Sequence, residues 1–410
     1  IPRESKSMDS ITEQLNEIAL CSMPGPGVSR LSFSKEHKDA NEIIEKWMRS
    51  AGLDFRIDDA GSLIGAHKVG SELPTLIMGS HQDTVIGGGK YDGIMGVLLP
   101  ILAFKVLGSE QIRYNLEIIS FADEEGVRFP TSLIGSRSLA GTFNESFLSF
   151  EDNKGISLRE AMVDFGLKPE NILKLKRDKS DLLGFIEVHI EQGPILHHEN
   201  KALGIVSSIS GIERYYISLK GEAGHAGTVP MHLRKDALSG AAKIISKVES
   251  LAILNMGVAT VGSINTKPNA VNVIPSEVDL TIEIRAEKDS KRHVLAKNII
   301  SDVYEIASEK NLEVTIEKTY EQKAVSCDEN LMDALSNSVE RVLGTPTYLS
   351  SGATHDSSAM SDICPMAMLF VRCLNGVSHS PKELASEEDM QLAVKVLSDF
   401  LLSLNKKKIL

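Results

Sequence analysis

Residues 75–122 read TLIMGSHQDTVIGGGKYDGIMGVLLPILAFKVLGSEQIRYNLEIISFA, and this segment predicts the fold class of the chain. It contains the apolar run Thr75–Met78, the helix-like stretch Ile94–Val106 and a second apolar run, Leu116–Ala122. Strands that alternate with helices in this way are typical of a largely parallel sheet with helices on both faces. The pattern returns near the end of the chain, where Met366–Val371 predicts another buried strand. We therefore predict an α/β domain.

The middle of the chain has a different pattern. Four strands and two amphipathic helices are predicted in the order strand, helix, strand, strand, helix, strand, which is the ferredoxin-like split βαβ motif. The predicted strands are Tyr215–Leu219, Val258–Ile264, Val278–Ile284 and Leu312–Ile316. We therefore predict an inserted ferredoxin-like α+β domain at residues 211–325, between two segments of the α/β domain at 1–210 and 326–410.

The composition excludes several classes of protein. A chain of 410 residues with 42% hydrophobic and 24% charged residues is typical of a soluble protein with two or three domains. Its 44 basic and 56 acidic residues give a net charge of −12, the wrong sign for binding to phosphate backbones, so no nucleic-acid partner is expected. The apolar stretch Ile94–Phe104 is interrupted by Pro100 and is shorter than the roughly 20 residues of a membrane-spanning helix, so no membrane partner is expected.

The four cysteines bear on the cellular compartment. Cys21, Cys327, Cys364 and Cys373 are far apart or lack CxxC spacing, and a chain of this size needs no disulfide framework. We expect reduced thiols and a cytoplasmic location.

Polar residues follow several of the predicted strands. His81 and Asp83 follow the first strand, Asp123-Glu124-Glu125 follow the second, and His189 ends the strand-like run Phe185–Val188. His379 lies shortly after Met366–Val371. Open α/β sheets bind ligands at the carboxyl ends of their strands. Each of these residues alone is more often an ordinary polar residue, but their shared position at strand ends indicates a site.

A glycine-rich loop lies between the first strand and the first helix. Asp92-Gly93 follows the triple glycine Gly87–Gly89, as in some phosphate-binding loops. Lys90 is followed by Tyr91, however, where a P-loop has Ser or Thr, and this excludes a nucleotide-binding P-loop.

The residue types favour a metal site. Three adjacent carboxylates at the end of one strand repel one another unless a cation compensates, and His nitrogens with carboxylate oxygens are a ligand set that suits zinc and related ions. A hydrolytic site with two metal ions needs a bridging carboxylate, terminal His and carboxylate ligands, and a base that is not a ligand. The chain contains candidates for each part.

Several of these motifs together resemble the M20 metallopeptidase family. The similarity extends from about residue 29 to 405 and is strongest to the branch of allantoate amidohydrolases, ureidoglycolate amidohydrolases and N-carbamoyl-L-amino acid hydrolases. The motifs are Ser80-His81-Gln82-Asp83-Thr84, Lys90-Tyr91-Asp92-Gly93, Ala122-Asp123-Glu124-Glu125-Gly126-Val127-Arg128-Phe129, Gly135-Ser136-Arg137, His189-Ile190-Glu191-Gln192-Gly193, His225-Ala226-Gly227-Thr228, Asn272-Val273-Ile274-Pro275 and Gly376-Val377-Ser378-His379.

This resemblance implies two divalent metal ions, Zn²⁺ or Mn²⁺, with Co²⁺ or Ni²⁺ as further options. By the resemblance, His81 and His189 hold one ion, Glu125 and His379 hold the other, and Asp92 bridges them.

The resemblance also implies the remaining roles. Glu124 is the general base, and Asp83 accepts a hydrogen bond from His81 and fixes its tautomer. The inserted domain is a lid and dimerisation domain, which implies a homodimer. The substrate-binding residues implied are Gln192, His225, Asn272, Arg285, Gly352 and Ala353, and His225 also stabilises the developing oxyanion.

The expected activity is hydrolysis of a ureido C–N bond in a small carboxylate substrate, such as allantoate or an N-carbamoyl-L-amino acid, with release of ammonia and CO₂. The alternatives are ureidoglycolate hydrolysis, an aminoacylase or dipeptidase activity of the same family, and a catalytically silent binding protein on the same fold. Gln82 and Thr354 depart from the residues usual in the family, and these departures leave the substrate open.

Overall fold

The computed structural model describes residues 10–405. Residues 1–9 and 406–410, which the predicted α/β domain includes at its two ends, lie outside the described residues. None of the helices in the described part of the chain is both long enough and apolar enough to span a membrane. All four cysteines are free, as the sequence predicts.

The described residues form α-helices and short 3₁₀ helices. The α-helices are α1 (Ile11–Ala19), α2 (Lys35–Ala51), α3 (Ile94–Leu107), α4 (Ile134–Ala140), α5 (Leu158–Phe165), α6 (Ile195–His198), α7 (Ala237–Leu254), α8 (Asp289–Glu309), α9 (Glu329–Leu343), α10 (Asp356–Met360) and α11 (Glu387–Leu404). The 3₁₀ helices are Ser109–Gln111, Glu145–Ser149, Pro169–Leu175, Lys179–Asp181, Met231–Leu233 and Leu374–Gly376.

The strands build three sheets. They are β1 (Asp54–Ile57), β2 (Leu63–His67), β3 (Thr75–His81), β4 (Asn115–Phe121), β5 (Leu182–Ile190), β6 (Leu203–Ile209), β7 (Gly211–Lys220), β8 (Gly224–His225), β9 (Val258–Lys267), β10 (Val273–Ile274), β11 (Glu277–Ala286), β12 (Glu313–Gln322), β13 (Val325–Ser326), β14 (Tyr348–Ser351) and β15 (Met366–Val371).

The chain divides into two compact units. The first unit contains the described residues up to Ser207, Cys327–Leu349 and the described residues from His355 onward. The second unit contains Ser208–Ser326 and Ser350–Thr354.

The large sheet, apart from β13 and the ends of β6 and β14, forms the framework of the first unit. Its strand order is β1-β2-β4-β3-β5-β15-β6-β13, and β14 also pairs with β6. The neighbours β4, β3, β5 and β15 are parallel, whereas β1, β2 and β6 join antiparallel. The result is a mixed, largely parallel sheet with helices on both faces, as predicted. Its four parallel strands end at the same edge.

Helix α3 packs closely against the middle of this sheet. It is apolar on all sides and contacts β3, β4 and β5. A Cβ at Gly96 would overlap the main-chain carbonyl oxygen of Val188, so glycine permits this approach of helix to strand. Burial on every side explains why the sequence of α3 has no polar face.

The second unit is a four-stranded antiparallel sheet covered by two helices. The sheet order is β12-β7-β11-β9, and α7 and α8 pack on one face. The chain order β7-α7-β9-β11-α8-β12 is the predicted ferredoxin-like arrangement. Along β11 the apolar side chains of the alternating pattern are buried together with those of both helices.

Residues 350–354 group with the second unit, although they lie within the segment 326–410 that is predicted for the α/β domain. Two contacts explain this: Ser210 N–H donates to the Ser351 carbonyl oxygen at 2.9 Å, and Arg285 donates to the Gly352 carbonyl oxygen at 2.5 Å.

Candidate metal centre

Four elements of the first unit bring the candidate ligands to one edge of the sheet. His81 is the last residue of β3, and His189 is the penultimate residue of β5. Glu124 and Glu125 follow β4, and His379 lies in the loop after β15. Because these strands are parallel, their carboxyl ends and the residues that follow them meet at this edge.

Asp92 lies among three histidines. Its Oδ1 is 3.2 Å from Nε2 of His189 and 3.5 Å from Nε2 of His81, and its Oδ2 is 3.2 Å from Nε2 of His379. Nε2 of His379 is also 3.7 Å from Oε1 of Glu125. The predicted ligands therefore form two groups, His81–Asp92–His189 and Asp92–Glu125–His379, which share Asp92.

The orientation of two rings favours a cation. His81 Nδ1 donates to the main-chain oxygen of Asp83 at 2.8 Å, and His189 Nδ1 donates to that of Ile190 at 2.9 Å. In the neutral rings, each Nε2 lone pair then faces the Asp92 carboxylate. Two lone-pair donors repel unless a proton or a metal ion lies between them, so these residues fit a metal ion.

The carboxylates around this cluster are buried close together. Burial raises the pKa of Glu124 well above its usual range, and Glu125 and Asp356 add to the rise while His81 opposes it. Burial and the charge of Asp92 raise the pKa of Glu125 to about 7. A divalent cation would relieve this repulsion.

The hydrogen bonds of Asp92 and His379 show the opposite balance. Burial alone would raise the pKa of Asp92, but its hydrogen bonds with His189, His379 and His81 outweigh burial and hold that pKa well below its usual range. The hydrogen bond to Asp92 raises the pKa of His379 to about 9, against the effect of burial. Negative charge at Asp92 is therefore stabilised by the candidate ligands themselves.

Asp83 orients this region in two ways. Its main-chain oxygen, rather than its carboxylate, accepts the hydrogen bond from His81. Its carboxylate instead accepts the main-chain N–H groups of Glu124 at 3.1 Å and Glu125 at 3.0 Å. Asp83 thus fixes the His81 ring and also ties the acidic segment after β4 to the end of β3.

Gln192 lies against the same cluster. The structure places its Nε2 2.9 Å from Asp92 Oδ2 and 3.3 Å from His379 Nε2. The main chain at Gln192 has a φ of 61°, in the left-handed region. The predicted substrate-binding amide is therefore held beside the shared carboxylate.

Glu187 lies next to the cluster and is not among the residues predicted from the sequence. It accepts hydrogen bonds from Ser80 Oγ at 2.8 Å and from the N–H and hydroxyl of Ser357 at 2.9 and 2.6 Å. Nearby, Asp356 accepts from Ser136 Oγ at 2.6 Å. The one signal in the sequence is a charged residue within the apolar strand β5.

His225 and Asn272 lie in the second unit, at adjacent positions of the short β8–β10 ribbon. Val273 pairs with His225, and the main-chain oxygen of Asn272 accepts a hydrogen bond from the main-chain N–H of Ala226 at 3.0 Å. His225 is exposed, and its Nδ1 accepts the N–H of Gly227 at 3.0 Å. The neutral ring therefore carries its proton on Nε2 and can donate it in a hydrogen bond.

Arg285 is on the face of β11 opposite the buried apolar residues, as predicted. Its guanidinium group already makes hydrogen bonds within the second unit. Its Nε donates to Glu283 at 2.7 Å, and its Nη1 donates to the Gly352 carbonyl oxygen at 2.5 Å. Ala353 follows directly and donates its N–H to Ser351 Oγ at 3.2 Å. The guanidinium is thus oriented before any substrate binds.

The two positions that depart from the family pattern make contacts inside their own units. Gln82 is buried and donates to Asn41 Oδ1 at 2.6 Å. Thr354 Oγ1 lies 3.5 Å from Gln322 Oε1.

Comparison with known proteins identifies the family. Residues 77–403 match the model of peptidase family M20/M25/M40. The chain belongs to this family. It is 39% identical to the N-carbamoyl-L-amino-acid amidohydrolase of Pseudomonas sp. strain NS671, over 94% of each chain. It is also 36% identical to the allantoate deiminase of Arabidopsis thaliana, over 96% of this chain and 82% of the relative.

A solved structure shows the same architecture. The hydantoinase/carbamoylase family amidase of Burkholderia multivorans superposes with a TM-score of 0.88 at 31% identity, over 96% of both chains. The described fold is therefore that of an M20-family amidohydrolase.

The candidate centre predicts a stability change on metal addition. We expect Zn²⁺ or Mn²⁺ added to metal-free protein to raise its Tm, because an ion that binds only the folded state stabilises it, by about 2.7 kcal/mol at a hundredfold excess over Kd. Asp92→Asn should abolish most of this rise, since it removes the charge that both ligand groups share. Differential scanning fluorimetry measures both. The exposed Asp181→Asn variant is the control, and an equal rise in Asp92→Asn would contradict the shared-ligand role.

Proposed function

We propose that this M20-family protein hydrolyses a ureido C–N bond in a small carboxylate substrate, allantoate or an N-carbamoyl-L-amino acid. Water and the terminal ureido group yield ammonia and a carbamic acid, which loses CO₂ to leave the amine. The observation that carries the proposal is the pair of ligand groups sharing Asp92, in a chain whose relatives are named for this chemistry.

We propose that two divalent ions, Zn²⁺ or Mn²⁺, with Co²⁺ or Ni²⁺ as alternatives, bind this centre. His81 and His189 would hold one ion, Glu125 and His379 the other, and Asp92 both. Such ions lower the pKa of water and polarise a carbonyl group. The His and carboxylate set accepts each of these metals, so availability decides among them.

Glu124 is the proposed general base. It is buried, it follows β4 at the same edge, and its Oε2 is 3.7 Å from Nε2 of His81. Its raised pKa suits a group that accepts a proton from the attacking water and then passes it to the leaving nitrogen. Asp83 holds the main chain of Glu124 in place through its carboxylate.

The second unit is the proposed lid and supplies the substrate contacts. His225 would donate its Nε2 proton in a hydrogen bond to the oxyanion that develops at the ureido carbon. Asn272 and Arg285 would hold the substrate carboxylate, and a guanidinium forms strong paired hydrogen bonds with such a group. Gln192, Gly352 and Ala353 would complete the binding site.

We also propose a homodimer formed through the second unit, in the cytoplasm. Strand β9 is at the edge of its sheet, and the segment from the end of α7 to the start of β9 exposes apolar side chains. These side chains are Ile253, Leu254, Met256 and Val258. Exposed apolar patches and open strand edges are typical of protein interfaces. Four free cysteines fit a reducing compartment.

A substrate panel tests the proposed reaction. Metal-reconstituted protein should release ammonia from allantoate or from an N-carbamoyl-L-amino acid, and chelation should abolish the release, because binding and polarisation of the ureido group need the ions. The panel includes ureidoglycolate, N-acetyl amino acids and dipeptides, with ammonia and amine release measured separately.

The outcomes of this panel distinguish the alternatives. Turnover of ureidoglycolate alone would identify that substrate within the same reaction class. Turnover of only acetylated or peptide substrates would contradict the ureido proposal and favour an aminoacylase or peptidase. A protein that binds metal but is silent on every substrate would favour a binding protein.

Substitution of the base gives a sharper test. Glu124→Gln should lower kcat by about 10²–10⁴-fold, since general-base contributions are of that order, while the variant still binds metal. Metal content is measured by atomic emission and turnover by ammonia release. Glu145→Gln, at an exposed position, should behave as wild type. Glu124→Gln with full metal and wild-type turnover would remove Glu124 from the base role.

The dimer is tested by charge substitution at its proposed interface. Met256→Glu combined with Val258→Lys should give a monomer by light scattering, because charges on the exposed apolar patch oppose its burial. Val163→Lys, an exposed apolar position in the first unit, is the matched control and should remain dimeric. A wild-type monomer would contradict the homodimer.

A further inference from the structure

A buried carboxylate close to the candidate metal centre has no role in the proposed reaction. Glu383 lies four residues after His379, in the loop between β15 and α11, and is only 4% exposed. A buried carboxylate is costly unless hydrogen bonds compensate it. Its partners therefore indicate what the residue does.

One oxygen of Glu383 holds the segment that carries the shared ligand. Its Oε1 accepts the main-chain N–H of Tyr91 at 3.1 Å and that of Asp92 at 2.9 Å. These two contacts fix the main chain at the residue whose carboxylate is shared by both ligand groups. The partners are about 290 residues apart in the chain.

The other oxygen holds the loop of His379. Oε2 of Glu383 accepts the Ser378 hydroxyl at 2.6 Å. Ser378 directly precedes His379, whose main chain has a φ of 51°, in the left-handed region that a non-glycine residue rarely occupies. The Ser378 contact thus helps to hold His379 in an unfavourable conformation.

The triple-glycine loop is shaped around the same carboxylate. A Cβ at Gly89 would overlap the Glu383 side chain, so the glycine leaves room for the carboxylate beside the Asp92 segment. This gives a physical reason for the third glycine of the loop, which the sequence pattern alone left unexplained.

We infer that Glu383 is a positioning residue that sets the separation of Asp92 and His379. This inference rests on the proposed metal centre and extends it to the ion held by Asp92, Glu125 and His379. Glu383 belongs to neither ligand group, and its two oxygens accept three hydrogen bonds from the two loops. Loss of Glu383 should weaken this ion position and affect the His81–Asp92–His189 position less, since the His81 and His189 rings are held by the main-chain carbonyl groups of Asp83 and Ile190.

The experiment is a metal titration of substrate-free protein. Metal-free wild type, Glu383→Ala and Glu383→Gln are titrated with Co²⁺, and the visible absorption spectrum reports each binding step. Residues that orient metal ligands typically contribute 10–100-fold in affinity. We expect Glu383→Ala to lose 10–100-fold at one of two steps and to retain the other within about threefold. Glu383→Gln should recover part of the loss, because its amide can accept from both N–H groups and donate to Ser378.

Two further variants act on the same contact from other segments. Ser378→Ala removes only the link to the His379 loop, and Gly89→Ala displaces the carboxylate by steric overlap. Both variants should weaken the same binding step as Glu383→Ala. If Glu383→Ala does not fold, Ser378→Ala tests the same contact in its place. Glu388→Ala, an exposed glutamate at the start of α11, is the control and should titrate as wild type.

Three results would overturn the inference. Wild-type affinity at both steps in Glu383→Ala would show that Glu383 does not position the ligands. Equal weakening of both steps, together with a lower urea midpoint of the metal-free variant, would reduce Glu383 to a general structural role. A wild type that binds no Co²⁺ would contradict the proposed metal centre itself, and the inference would fall with it, which distinguishes the two failures.

Discussion

The Asp92 carboxylate lies among the Nε2 atoms of three histidines, and the geometry of the candidate metal centre depends on this contact. The three histidines come from β3, β5 and the loop after β15, and Asp92 itself precedes α3. A single buried anion thus joins four segments that are distant in the chain. Burying charges away from water is costly, and the cost is offset only when their partners are well placed.

Much of the fold could be predicted from the sequence, because many of the strands and helices show the hydrophobic period of their own type of secondary structure. The strand Met366–Val371 and the order of elements in the second unit are as predicted. The strand predicted at Leu312–Ile316 begins one residue later and continues to Gln322. Its second half has no alternating burial, and its register with β7 shifts between Lys318 and Tyr320.

The candidate ligands could be found because they follow predicted strands, and the family pattern supplied their roles. The supporting residues could not. Glu187, Glu383 and Arg30 are recognised only by their partners, which are remote in sequence; Arg30, for example, is fully buried and donates to the main-chain oxygens of Gln82, Ile18 and Cys21. The sequence also could not predict that His81 donates to the main-chain oxygen of Asp83, since periodicity does not distinguish main-chain from side-chain acceptors.

The position of β15 also has a consequence for how the protein is made. This strand lies between β5 and β6 in the large sheet, yet it is encoded about 160 residues after them. During synthesis, both neighbours leave the ribosome long before their shared partner exists, so their facing edges stay unpaired. The four-stranded sheet of the second unit, by contrast, lies within 112 consecutive residues, from Gly211 to Gln322, and can fold while the nascent chain is still growing. The large sheet is therefore completed only after the four-stranded sheet of the second unit has been synthesised, when β15 fills the position between β5 and β6.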